Sequence, residues 1–433
     1  MVNVVGERSG VAAVRPPGGR IAPTDFAFLP DGVNTENLAF ASCDGAQSHG
    51  VLYQRGGERT VVCLTHPRGD FTRHYLAPAL LEAGYAVFGF RHRHGGADFA
   101  LVHEALLLDV AGALEMLKAE RGYGEVVLLG NCGGGGPLGF YQWQAETSPP
   151  GRFTHTPAGD PLDLNAVDLP AADGLILVAT PFGESSVIER GLDPSVVDET
   201  DPLSCDPALD MYDPRNGYRE PPHPSVYSPE FSARYRDAQR ARLSRIDAVA
   251  RALIAEQRSQ QDLMAAPFFA SLDLADRSHI QRRARDTKPV TVYRTDASLA
   301  YCDLSIDPSK RTVGGFLTQD TLGLNYARGG LGQFRSPRAW LSAASGLTAR
   351  GSLRLALPHI QVPTIIINYT ADRGVYPSDA VEMHAISAAK DKRLHHVDGE
   401  HFGYPIEGAA DRNPRETVGR LLASWLRERF AAR

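Results

Sequence analysis

The chain has 433 residues, with 45 Lys and Arg against 51 Asp and Glu, a formal net charge of −6 and 43% hydrophobic residues. That length can bury a sizeable core without disulfides or a structural metal, and the negative balance excludes the basic face that non-specific nucleic-acid binding requires. The 42 glycines and 30 prolines follow no period, which excludes a collagen-like or low-complexity chain.

Five cysteines, Cys43, Cys63, Cys132, Cys205 and Cys302, form no CxxC pair. The N-terminus has neither the basic region nor the apolar run of a secretory signal. No stretch reaches 18 apolar residues, so no membrane partner is expected. These features point to a cytoplasmic protein with free thiols. A homo-oligomer is compatible with the sequence.

The first 40 residues, rich in Gly and Pro, read as irregular. Residues 60–65 form a short, nearly continuous apolar run, as in a strand buried on both faces. A helix is expected over 73–83, closed by Gly84, and then a strand over 85–90. Val102, Leu106, Val110, Leu114 and Leu117 recur at helical spacing up to Gly122, with Asp109 on the polar side of that helix. Strands follow at 126–129 and 174–180. Strands alternating with helices in this way imply crossover units and a mostly parallel sheet.

The pattern breaks over 183–345, which hold Pro-rich turns, a long helix and weaker strand signals around 290–304. The helix carries Tyr235, Ala238, Arg242, Ile246, Val249 and Leu253 on one face. Arg234, Arg236, Arg240, Arg245 and Arg251 read as its solvated surface. Beyond the insertion come a strand at 362–368, a helix at 377–390 and a short strand at 394–397. Val418, Leu421, Leu422, Trp425 and Leu426 form the apolar face of a closing helix. No internal repeat is found.

The chemistry gathers where the 126–129 strand runs into Gly130-Asn131-Cys132-Gly133-Gly134. A Gly-x-nucleophile-x-Gly turn lifts the nucleophile above the sheet, and its flanking positions cannot hold side chains where strand and helix approach. The N-terminus of the helix that follows favours a thiolate. Gly134-x-Gly136-x-x-Gly139 also fits a dinucleotide fingerprint, with Asp160 as its ribose-binding acid. Asp160, however, lies in a Pro-rich loop and not at a strand end.

At this turn the sequence resembles the α/β-hydrolase superfamily, and the Cys in the turn is similar to that of dienelactone hydrolases and polyhydroxyalkanoate synthases. The resemblance covers roughly residues 50–182 and 346–433. It implies an α/β-hydrolase fold, a mostly parallel sheet flanked by helices, with core segments 1–182 and 346–433 separated by a large, mainly helical lid at 183–345. It also implies an acid and a histidine later in the chain, in that order. Asp372, four residues past the strand ending at Asn368, and His401, after the last strand, match those positions. His401 would take the Cys132 proton or pair with its thiolate, and Asp372 would fix the imidazole tautomer. Asp398 is an alternative acid.

His66-Pro67-Arg68-Gly69 stands at the family's His-Gly loop, which supplies one of two oxyanion donors, the other being the N–H of Gly133. Pro67 has no N–H, which leaves Arg68 as the expected donor and Gly69 as the next. His66, Gly69, His92 and His94 are expected beside the substrate. No carboxylate or Cys stands at ligand spacing from His92 and His94, so no metal is expected, and no cofactor either. In the insertion Tyr301, Asn325, Tyr326, Arg328, Arg335 and Trp340 are candidates to line a pocket. The expected activity is hydrolysis of carboxylic esters, thioesters or lactones through an acyl group on Cys132, with a small-molecule acyl substrate as the only partner. The alternatives are an acyltransferase using the same acyl-enzyme and a non-catalytic member that serves binding.

Overall fold

A computed structural model describes residues 28–315, 319–326 and 330–432. Most of the N-terminal stretch read as irregular, and Arg328, lie outside the described residues. Within the described part of that stretch a strand begins at Asn34. Strands β1 (Asn34–Ala41) and β2 (Gln47–Gln54) pair antiparallel. Their residues alternate between buried and exposed, as at Leu38 and Phe40 against Asn37 and Ala39. A half-solvated antiparallel edge produces that pattern.

The expected alternation follows, as β3 (Thr60–Leu64), α1 (Ala77–Glu82), β4 (Ala86–Arg91), α2 (His103–Glu115), β5 (Glu125–Asn131), α3 (Gly135–Glu146) and β6 (Gly174–Val178). After the insertion come β7 (Thr364–Tyr369) and β8 (Lys392–Val397). Among the described residues these eight strands form one sheet, in the order β1-β2-β4-β3-β5-β6-β7-β8. Every pairing from β4 to β8 is parallel. This is the topology of the α/β-hydrolase fold.

The central strands read as unbroken apolar runs because successive residues enter two different cores. Val61, Cys63, Val126, Leu128, Leu175 and Leu177 pack with Leu106, Val110, Leu114 and Leu138 on one face. Val62, Leu64, Val127, Leu129, Ile176 and Val178 pack on the other with Leu80 and with Val418, Leu422, Trp425 and Leu426 of the closing helix. That helix, Pro414–Arg427, is capped by the Asn413 side chain, which accepts from the N–H of Glu416. Each fully buried Leu or Val contributes about 1.5–3 kcal/mol.

A large helical insertion separates β6 from β7. It is built on α4 (Glu184–Gly191), the 37-residue α5 (Pro229–Ala265) and α6 (Leu274–Arg285). Ser228 caps α5 by accepting from the N–H of Phe231, and Pro229 opens it. Leu243, Ile246, Ala250 and Ile254 pack with Ile188, Leu192, Trp340 and Leu341 into a core of the insertion's own. Arg242 falls on this apolar face because it is not solvated. It is fully buried and bonds the Glu199 carboxylate and the carbonyls of Asp193 and Tyr293. The strand expected over 290–304 reduces to a two-residue ladder, Val290–Thr291 with Phe334–Arg335.

Buried polar contacts fasten the insertion to the core. Ser342 Oγ donates to Glu104 at 2.6 Å, Arg190 donates to Asp379 at 2.8 Å, and the Arg335 guanidinium, paired with Glu184 inside the insertion, also lies 3.9 Å from Asp98 of the core. Asp160 accepts from Arg258 and Arg338, an anchor for the insertion that leaves no support for the ribose role. Asp109 is not on a polar face of α2. It is fully buried and holds Ser42 Oγ at 2.6 Å and the N–H and Nε of Arg93.

Candidate active site

The turn after β5 is shaped by close backbone approach. A Cβ on Gly130 would lie 2.5 Å from Gly135 Cα, one on Gly134 2.5 Å from the Thr65 carbonyl oxygen, and one on Gly135 2.0 Å from Thr180 Cγ2. Cys132 itself sits at φ 52°, a left-handed conformation that costs a residue with a Cβ roughly 1–2 kcal/mol. A single 3₁₀ turn, Cys132–Gly134, then leads into α3.

Asn131 pins the turn from below. Its amide donates to the Val178 carbonyl at 2.8 Å, and its Oδ1 lies 3.2 Å from His74 Nε2. Neither Asn131 nor His74 is marked by any motif, and only their burial identifies them. Thr180 Oγ1 donates to Gly130 at 3.0 Å. Gly135→Ala is therefore expected to cost about 1–3 kcal/mol in urea denaturation. Thr180→Ser, which removes the opposing methyl, should recover part of that loss. A Gly135→Ala variant as stable as the parent would contradict this packing.

The loop after β7 brings Asp372 to the same place. This carboxylate is fully buried, and its Oδ1 accepts from the N–H groups of Gly374 and Val375 at 2.8 and 3.0 Å. Its Oδ2 lies 2.5 Å from His401 Nδ1. Burial alone would lower the His401 pKa. The charges of Asp372 and Cys132 and hydrogen bonds to both outweigh it and push His401 up to about 10. Cys132, Asp372 and His401 thus stand together. Asp398 stands apart, accepting from Lys310 Nζ at 2.8 Å and Thr370 Oγ1 at 2.8 Å.

The raised value of His401 has a stability consequence. Its folded pKa lies above the ordinary value of 6.5, so its contribution is fully present below about pH 6.5 and is lost as pH rises through about 10. The melting-temperature difference between the parent and His401→Gln should narrow as pH rises from about 7 to 10. A constant difference would contradict the assignment.

The loop after β3 departs from expectation. The N–H of Arg68 does not face the turn, because it donates to His66 Nδ1 at 3.0 Å, and the N–H of Gly69 does the same at 2.6 Å. Arg68 Nε bonds Asp98 at 2.9 Å. With Pro67 lacking a donor, the imidazole of His66 has drawn in the two N–H groups that follow. The ring of His92 is turned to the same loop. It is buried, with Nε2 3.0 Å from the Pro67 carbonyl oxygen and Nδ1 accepting from the His94 N–H. His94 is half-buried at the rim of this loop.

Of the insertion's candidates, Tyr301, Asn325, Arg335 and Trp340 are buried, whereas Tyr326 is exposed. Asn325 bonds Tyr212 and Asp296, and Trp340 donates to Asp247 at 2.7 Å. All five cysteines are free thiols. Burial pushes the Cys63 and Cys302 thiols up, away from reactivity. Among the described residues no group of His, Cys, Asp and Glu side chains has a metal-holding arrangement, and no helix is long and apolar enough to cross a membrane.

No family model and no curated protein matches the sequence. Solved structures do. DcsB in complex with its substrate analogue aligns with a TM-score of 0.50 at 10% identity, over 92% of this chain and 100% of that one. The esterase domain of a Rhodothermus marinus protein aligns at 0.42 and 11% identity, over 91% of this chain and 98% of that one. A monoacylglycerol lipase of Paleococcus ferrophilus aligns at 0.38 and 13%, over 92% and 99%. At such identities the likeness to DcsB is one of fold.

Proposed function

We propose that this chain is a hydrolase that cleaves carboxylic esters, thioesters or lactones through a thioester on Cys132. The observation that carries this reading is the row Asp372–His401–Cys132, with the thiol held at positive φ between β5 and α3. The raised proton affinity of His401 favours an imidazolium facing a Cys132 thiolate. The thiolate adds to the substrate carbonyl, whose π pair moves onto oxygen beside the Gly133 N–H.

As this intermediate collapses, His401 gives its proton to the leaving alcohol or thiol, and the acyl group stays on sulfur. The neutral imidazole then takes a proton from water, and the resulting hydroxide adds to the thioester. The free acid departs and the thiolate–imidazolium pair returns. Asp372 holds the Nδ1–H throughout. Amides are poorer substrates, because a thiolate leaves more readily than an amine and the intermediate reverts. Residues 183–345 act as a lid between core segments 1–182 and 346–433, excluding water and shaping the acyl pocket.

Because the acyl group rests on sulfur, transfer to an alcohol or thiol acceptor is the second reading. Product analysis on an ester, thioester and lactone panel, with and without an acceptor, separates the two. Free acid as the main product under both conditions is expected. Acylated acceptor as the main product would favour transfer, and no product from any substrate would contradict both.

A further inference from the structure

The two backbone donors expected of the loop after β3 are already engaged. Pro67 carries no N–H, and those of Arg68 and Gly69 both point at His66 Nδ1, at 3.0 and 2.6 Å. A ring nitrogen that accepts two N–H donors holds no proton, so the neutral imidazole carries its proton on Nε2. The ring is held neutral. Burial, and then the positive charges of Arg68, His92, His401 and His74, push His66 down to about 3.

The Nε2 atom faces the nucleophile turn, 3.0 Å from where a Cβ on Gly133 would sit. Among the described residues it makes no hydrogen bond. The ring cannot swing away. It packs on Phe71 with centroids 4.6 Å apart, and His92 holds the adjoining Pro67 carbonyl at 3.0 Å.

We infer that His66 is a catalytic residue whose Nε2–H replaces the missing backbone N–H of the loop as the second oxyanion donor beside Gly133. This rests on the acyl-Cys132 reading above. As the Cys132 sulfur bonds to the carbonyl carbon, the π pair moves onto oxygen, which accepts from the Gly133 N–H and from His66 Nε2–H. No proton changes hands. The two loop N–H groups polarise the ring and strengthen its donor. The same contact explains why position 133 carries no side chain: one there would meet the imidazole.

Two variants separate this role from a structural one. His66→Asn keeps an acceptor near the Nδ1 position for the loop but removes the distal donor. His66→Gln keeps an N–H near the Nε2 position and removes the acceptor. The measurements are the rate of Cys132 acylation by a p-nitrophenyl ester, followed as the nitrophenolate burst, and the rate of Cys132 alkylation by iodoacetamide, which forms no oxyanion. Acylation by His66→Asn should be roughly 10²–10³-fold slower with KM little changed, while alkylation stays within about twofold and His66→Gln retains more acylation than the Asn variant. Acylation by His66→Asn at the parent rate, or equal loss of acylation and alkylation, would overturn the inference and leave the acyl-enzyme reading standing. Should His66→Asn fail to fold, His66→Ala, which removes both ring nitrogens, takes its place, and acylation by it at the parent rate, or lost equally with alkylation, would overturn the inference instead. No acyl-Cys132 in the parent protein would overturn the underlying reading, and this inference with it.

Discussion

Cys132→Ala should lose ester turnover by roughly 10⁴-fold or more, about 5.5 kcal/mol or above in barrier height, while keeping its melting temperature within a few degrees. The rate loss follows from removing the only atom in the row that can hold the acyl group. The fold is expected to survive because Ala, like Cys, places only a Cβ at φ 52°, and the thiol it loses is half-buried. Cys43→Ser and Cys205→Ser change thiols that are exposed and should leave initial rates unchanged. An alanine variant that keeps more than about a hundredth of the parent rate would contradict the assignment.

Asp372→Asn should cost on the order of 10³–10⁴-fold, through a specific failure. Oδ1 accepts from the N–H groups of Gly374 and Val375, so an asparagine must keep its oxygen there. Its NH₂ would then face His401 Nδ1 where Oδ2 now lies at 2.5 Å. The imidazole would have to accept at Nδ1 and carry its proton on Nε2, the tautomer that cannot take a proton from Cys132 or water. Asp398→Asn breaks only contacts to Lys310 and Thr370 and should stay within about twofold. Initial rates of the two variants decide between the acids, and the reverse ranking would assign the role to Asp398.

Much of this was legible in the sequence, for physical reasons. β3, β5 and β6 sit between two helical layers, so both of their faces are apolar and the runs stand out. The glycines around Cys132 are legible because the backbone at Thr65 and Gly135 leaves no space for a Cβ. Asp372 and His401 follow strand ends at the positions the resemblance implies. β1 and β2 were missed because a half-solvated edge dilutes its apolar residues with polar ones.

Asp109 was misread, and the burial of Arg242 on its apolar face had no visible cause, because burial of a charge depends on partners distant in sequence, Arg93 and Glu199. The hydrogen bonding of the Arg68 and Gly69 N–H groups was not legible for a related reason. Sequence shows that Pro67 lacks a donor, but not that the His66 ring lies close enough to capture the next two N–H groups. The insertion's own core follows no motif, since it depends on how α4 and α5 pack with Trp340 and Leu341.

The central claim is a covalent acyl group on Cys132. Its most direct test is intact-mass analysis of the protein quenched in acid within the burst phase on activated ester, thioester and lactone substrates, followed by peptide mapping. The account predicts one added acyl mass per chain, located on the peptide containing Cys132, absent from Cys132→Ala and decaying as free acid appears. Turnover without any covalent adduct, or an adduct confined to another residue, would contradict it.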